Sequence, residues 1–277
     1  MSIDLPPAVR ITALNIYPVK GCRGIALDSA RIAATGFEHD REWLITRPDG
    51  RFMTQREEPR LALIETALAG ETLRLHVPGG GELSVPINTR GREVEVTCWK
   101  DLCAAFDAGE EAAEFLTRYL GSPMRLVRFD ARRKRPANPQ WTPGVEALNQ
   151  FSDGFPWLLA SEASLEDLNS RLSRKLPMNR FRPNIVVSGL PPFGEDHLHD
   201  LAGGGVRLRR AKPCTRCIVT TTDQATGTRD GDQPLRTLAQ FRFDRELKGV
   251  VFGQNMILID GVGAQLRVGQ ELEVISD

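Results

Sequence analysis

The chain has 277 residues, room for one large domain or two modest ones. Hydrophobic residues make up 41% and charged residues 26%, ordinary globular usage that argues against a disordered chain. The 36 basic residues balance 36 acidic ones, so the basic excess usual in a general nucleic-acid or membrane-surface binder is missing.

The 25 glycines and 18 prolines mark a turn-rich chain and favour short strands over long helices. The N-terminal stretch Met1 to Lys20 shows no cationic segment followed by an apolar one, as a secretory signal would. No run approaches the ~20 apolar residues that span a bilayer. A cytoplasmic protein with no membrane contact is the expectation. Five cysteines, an odd number, do not suggest a disulfide framework, so reduced thiols are expected.

In chain order, Val9 to Ile16 reads as a strand ending at Tyr17-Pro18, and Gly24 to Ala34 as one long strand. Glu42 to Thr46 and Arg51 to Thr54 flank Arg47-Pro48-Asp49-Gly50, a hairpin turn. Strands are expected at Leu61 to Ala67, Thr72 to Val77, Glu82 to Ile87 and Glu93 to Cys98. The spacing Ala112, Phe115, Leu116, Tyr119 predicts a helix over 110–119, stopped by Gly121. Arg132 to Trp141, basic and with two prolines, reads as a solvated linker.

Beyond it, a helix is expected over 161–172, with Ser164 as N-cap. Strands follow at Asn184 to Val187, Val206 to Arg210, Ile218 to Thr222, Met256 to Ile259 and Glu271 to Ile275. Pro234 to Phe241 reads as a short helix. The fold class is therefore α+β, predominantly β, with a few helices. Regular short strands suggest a barrel or sandwich, with residues 8–130 on one side of the linker and residues 145–277 on the other.

The most informative segment is Lys212-Pro-Cys-Thr-Arg-Cys-Ile-Val-Thr-Thr-Thr-Asp223. A lone C-x-x-C fits a zinc site, a thiol–disulfide pair or two buried structural thiols. Zinc wants four ligands, and the other cysteines are distant in sequence. A redox pair wants the motif opening a helix, whereas Ile218 to Thr222 reads as a strand. Arg216 beside Cys217 favours thiolate, the soft donor that thiophilic metals prefer. Cys22, Cys98 and Cys103 read as buried structural thiols. Asp196, in the loop Pro191 to His197, is a candidate for an active-site rim. Gly203-Gly204-Gly205 lacks the Lys-Ser/Thr of a phosphate loop.

Taken together, several stretches resemble proteins with a MOSC domain and its N-terminal β-barrel partner. They are Ile16-Tyr-Pro-Val-Lys20, Asp40-Arg-Glu-Trp-Leu44, Gln55-Arg-Glu-Glu-Pro-Arg-Leu61, Ser161 to Leu172, Asn179-Arg-Phe-Arg-Pro-Asn-Ile185, Cys214-Thr-Arg-Cys217 and Phe252-Gly-Gln254. The resemblance reaches the mitochondrial amidoxime-reducing components and their bacterial relatives. It implies binding of molybdenum cofactor, a metal held by the dithiolene of a phosphorylated pterin. It also implies reduction of N-hydroxylated substrates.

By the resemblance, Cys217 is the metal ligand and the catalytic cysteine, and Thr215 and Arg216 are cofactor-contacting neighbours. Lys20, Arg41, Ser161, Arg182 and Asn184 match further pterin or phosphate contacts. These residue types suit a phosphate, which takes Arg forks, a Lys point charge and hydroxyl donors. The cofactor is expected between the two domains, because the matched residues come from both.

Two positions depart from the family. Gly21 stands where relatives often carry Ser, and Asn255 where a relative has an aromatic residue. No cysteine follows Cys217, so a ferredoxin-like cluster in this stretch is excluded. Electrons are expected from a separate ferredoxin- or cytochrome-like chain. A cofactor or sulfur carrier without turnover is the alternative.

Overall fold

A computed structural model describes residues 4–229 and 231–276. Its centre is a closed barrel of seven strands: β1 (Ala8–Ile16), β2 (Trp157–Ser161), β3 (Ile185–Ser188), β4 (Leu198–Gly203), β5 (Val206–Thr215), β6 (Gly249–Asp260) and β7 (Glu271–Ser276). Around the barrel the order is β2-β3-β1-β7-β4-β5-β6, and β6 closes back on β2. Only β2 and β3 run parallel; the other pairs are antiparallel. Val9 and Ile11 and, past a register shift, Leu14 and Ile16 of β1 face a core shared with Trp157, Leu159, Val187, Leu208 and Leu272.

The rest of the first half makes two smaller sheets. Trp43–Thr46, Arg125–Phe129, Asp101–Asp107 and Glu93–Cys98 pair in that order. Glu65–Ala69, Thr72–Val77 and Gly81–Pro86 form a three-stranded meander. The helix α1 (Glu110–Leu120) seals their common core with Ala112, Leu116 and Leu120. Gly121, in the left-handed conformation at φ 76°, ends α1 as expected. With α2 (Glu162–Ser170) and α3 (Leu235–Phe241), the molecule is predominantly β with three α-helices among the described residues. None is long and apolar enough to cross a membrane.

The strand pairing crosses the boundary drawn in sequence between 8–130 and 145–277. β1 belongs to the barrel of the second half, hydrogen-bonded to β3 on one side and β7 on the other. Ser29–Ala33 likewise pairs with Gln265–Arg267. The physical reason is the buried stripe of β1, which finds its complement in the barrel interior.

Several expected elements need correction. The strand expected over 24–34 breaks at Asp28, because Ile25–Leu27 pairs with β1 while the next segment turns to another partner. Arg51 to Thr54 contributes only isolated bridges, at Arg51 and Phe52. Pro59–Leu63 is a 3-10 turn that precedes the strand expected from Leu61.

Ile218–Thr221 is also a 3-10 turn, although its residues are β-branched. The hydroxyls of Thr220 and Thr221 donate to the carbonyls of Cys217 and Ile218, at 2.9 and 2.8 Å, and so replace a strand partner. Ser161, not Ser164, occupies the N-cap position of α2, without a side-chain cap bond. Ser164 is buried one turn in, donating to Glu195 at 2.6 Å and accepting from the Phe193 N–H at 2.8 Å. Within the expected linker, Arg135 is buried, its guanidinium donating to Asn149 Oδ1 and to the carbonyls of Gln150 and Ser152.

Candidate functional site

A cleft opens where one end of the barrel meets the N-terminal sheets. Its walls include Lys20, Arg41, Arg182, Asn184, Cys214, Thr215, Arg216 and Cys217, brought together from positions up to 197 residues apart in number. Of the residues matched to cofactor contacts by the resemblance, Ser161 alone is missing from the walls. Its side chain is fully buried and its hydroxyl has no partner among the described residues. Asp196, the rim candidate, is tied into an ion pair with Arg242 at 2.5 Å and accepts from Gln254 at 2.5 Å.

Each cation is held differently. Lys20 is nearly buried; its ammonium donates to the Phe151 carbonyl at 2.6 Å and to Asp153 at 2.5 Å. The indole N–H of Trp99 donates to the same Asp153 oxygen at 2.9 Å. The cleft walls work against ionisation of Asp153, but the Lys20 ammonium holds its carboxyl well below the usual range. One guanidinium nitrogen of Arg41, Nη1, donates to both oxygens of buried Asp40, at 2.7 and 2.6 Å, and Nη2 donates to the Arg182 carbonyl at 3.3 Å.

Arg182 forms no ion pair among the described residues; its one hydrogen bond to a side chain is a 3.5 Å contact with Gln224. Burial pulls its pKa down to about 10. Arg41 and Arg182 both adopt left-handed backbone, at φ 50° and 56°. Such conformations cost on the order of 1–3 kcal/mol each and concentrate at functional sites.

Arg216 also lacks a carboxylate among the described residues. One guanidinium nitrogen donates to the Phe181 carbonyl at 2.6 Å, and the other stands 2.7 Å from Cys214 Sγ. The sequence reading set this cation against its neighbour Cys217. Extended backbone alternates its side chains, so residues two apart share a side and Arg216 meets Cys214. Both thiols line the cleft and are partly exposed. Cys22, Cys98 and Cys103 are buried, as expected; burial pushes Cys22 up to about 12 and Cys103 to about 11. No group of three or more His, Cys, Asp or Glu is placed to hold a metal ion among the described residues.

Asn184 lies in the wall, but its amide serves the frame. Its oxygen accepts from the Leu158 N–H at 3.2 Å, and its nitrogen donates to the Asn15 carbonyl at 3.1 Å. Asn255 donates to the Lys212 carbonyl at 3.2 Å. Gly21 sits at φ 85°, and an added Cβ would come 3.2 Å from Leu61, which fits glycine at this position.

Sequence reasoning missed Arg56, Trp99 and Asp153 as wall residues. Arg56 stacks on Trp99, its guanidinium carbon 4.5 Å from the ring. Gln55 and Gln224 exchange amide hydrogen bonds at 3.2 and 3.0 Å, clamping the two halves of the chain beneath the cleft. Nothing in the sequence spacing of these residues signals their meeting.

The mouth of the β-barrel sets two arginines without carboxylate partners among the described residues beside two thiols. The chain belongs to the MOSC family: residues 8–123 match the MOSC N-terminal beta barrel domain and residues 147–273 the MOSC domain. It is 37% identical to human mitochondrial amidoxime-reducing component 1 over 273 residues, covering 90% of this chain and 78% of the relative. It is 36% identical to human mitochondrial amidoxime reducing component 2 over 251 residues, covering 86% and 75%. A solution structure of a Bordetella bronchiseptica protein aligns with 39% of this chain and 92% of its own, at 23% identity and a TM-score of 0.32.

Proposed function

We propose that this chain binds molybdenum cofactor in the cleft and reduces N-hydroxylated compounds, such as amidoximes, hydroxylamines or N-hydroxylated bases. A separate electron-transfer protein would supply the electrons. One observation carries the reading: Arg182 and Arg216, without carboxylate partners among the described residues, share a wall with the thiols of Cys214 and Cys217. A small molecule bearing both a phosphate and a thiophilic metal would satisfy both sets of groups. The names of the relatives supply the reaction class.

When bound, the cofactor would supply the electron-transfer chemistry at its metal. The chain's own residues provide the rest. Cys217 offers a sulfur ligand from the turn that follows β5. Arg182 and Arg216 would meet the phosphate without giving up an ion pair among the described residues, while Lys20 would have to share its ammonium with Asp153. Asn184 and the Gln55–Gln224 clamp hold the walls at their spacing.

The test is compositional and then kinetic. Protein purified from cells that make the cofactor should contain molybdenum and release a fluorescent oxidised pterin. Supplied with a reductant, it should convert an amidoxime to the amidine. Protein free of both molybdenum and pterin would overturn the reading.

A further inference from the structure

Tyr17 follows β1 and is buried behind the cleft wall, outside the cleft lining. The guanidinium carbons of Arg41 and Arg182 each lie 4.2 Å from the centre of its ring. The residue is also tied to the neighbours of both arginines. Its hydroxyl donates to the carbonyl of Pro183 at 3.1 Å, and its backbone N–H donates to Asp40 at 2.7 Å. The ring therefore touches two cations 141 positions apart, and its polar ends fix the segments that carry them. Asp40 neutralises Arg41 alone, so Arg182 depends on the ring and the 3.5 Å contact with Gln224.

We propose that Tyr17 is the positioning residue of an anion-binding pair, its ring holding Arg41 and Arg182 in place to receive one phosphate group. The inference rests on the proposed function only for the identity of the larger molecule that carries the phosphate. Two like charges brought together repel, and the negative face of an aromatic ring attracts both. Without the ring, the guanidiniums would be free to separate, and each bound anion would have to reassemble the pair. Tyr17 itself touches no ligand in this arrangement; it acts through the arginines.

Ring electronics supply the test, because fluorination weakens the negative face with little change of shape. Phenylalanine and its mono-, di- and trifluoro derivatives are placed at position 17, and calorimetry measures binding of inorganic phosphate to cofactor-free protein. Tyr17→Phe should keep affinity within about threefold, since the ring face remains. Each added fluorine should then lower it, reaching about tenfold for the trifluoro ring, or 1.4 kcal/mol. Apo-protein melting across the fluorinated series should stay level.

Tyr17→Leu adds a second measure: at least tenfold weaker phosphate binding in the folded fraction. A wild-type chain that binds no phosphate would overturn the inference. So would affinity indifferent to fluorination. A chain that binds phosphate in this ring-dependent way but carries no pterin or molybdenum would uphold the inference and overturn the proposed function.

Discussion

Two arginine clusters in this barrel differ in what balances their charge. Across β4 and β5, fully buried Asp200 receives Arg207 at 2.5 Å and Arg209 at 2.8 Å. Burial opposes ionisation of Asp200, yet the two guanidiniums hold its carboxyl below the usual range. At the barrel mouth, Arg182 and Arg216 have carbonyl, amide and thiol neighbours but no carboxylate among the described residues. The first cluster is complete within the chain and belongs to the frame. The second lacks such a partner within the described residues, which costs stability, and under the proposed function an external anion would complete it. A basic residue alone says little; the location of its counter-charge separates frame from site.

The largest expected effect lies at the thiols beside the open cluster. Cys217→Ser should abolish reductase activity and lower molybdenum content, and Cys214→Ser should be milder. Partners of metal ligands typically cost 10–100-fold when removed, so a direct ligand should cost more than about a hundredfold. Arg216 contacts Cys214, so Cys214→Ser should act by shifting that guanidinium. Activity with an amidoxime and metal analysis of both variants decide the matter. Full activity in Cys217→Ser would remove the ligand assignment.

Breaking the closed cluster should act on stability alone. Asp200→Ala leaves two arginines without their shared partner, and removing one member of a buried ion pair costs about 3–5 kcal/mol. Because Arg207 and Arg209 are partly exposed, about 2–3 kcal/mol is expected here. Denaturant melting of cofactor-free protein measures it. Molybdenum per folded chain should match wild type, and a fall there would blur the distinction between the clusters.

The open cluster should respond the other way. Arg182→Ala should leave apo-protein melting level or higher, because a half-buried cation without a carboxylate partner among the described residues disappears. Its affinity for cofactor should drop by about tenfold to a hundredfold, as one charge-assisted hydrogen bond is worth about 1.5–3 kcal/mol. Arg41→Ala should lose similar affinity and also melt earlier, because Asp40 stays buried without its partner. Lysine at either position should rescue only partly, lacking the fork. Melting curves beside cofactor titrations separate the pair; identical melting of the two variants would contradict the contrast.

These contrasts show which parts of the molecule could be read from the sequence. Thr72 to Val77 alternates its side chains, and the strand appears with those bounds. The strands over 101–107 and 125–129 escaped, because their mixed patterns match partners across a sheet and not a simple alternation. Ile218 to Thr222 misled for a local reason: threonine hydroxyls bonding backward stabilise a turn that β-branching alone would not suggest. The cleft residues Lys20, Arg41, Arg182 and Cys217 were legible through family motifs. Arg56, Trp99 and Asp153 were not, because their meeting is a property of the folded chain.

The smallest expected effect concerns Glu195, a third way for buried charge to be handled. It is fully buried; Ser164 donates to one oxygen, and the other has no partner among the described residues. Burial pushes its carboxyl up to about 7. Folded protein therefore holds this proton more tightly than unfolded protein does. The associated stability is fully present below about pH 4.5, the ordinary value, and is lost as pH rises through about 7. Glu195→Gln keeps a neutral group of the same shape and removes that titration. At pH 8 the variant should be more stable than wild type by about 1–2 kcal/mol, less than the full linkage because a second amide donor must be accommodated. At pH 5 the two should match or the variant should be slightly weaker. Parallel melting curves at both pH values would show that Glu195 stays ionised, so that its charge is balanced within the frame as at Asp200.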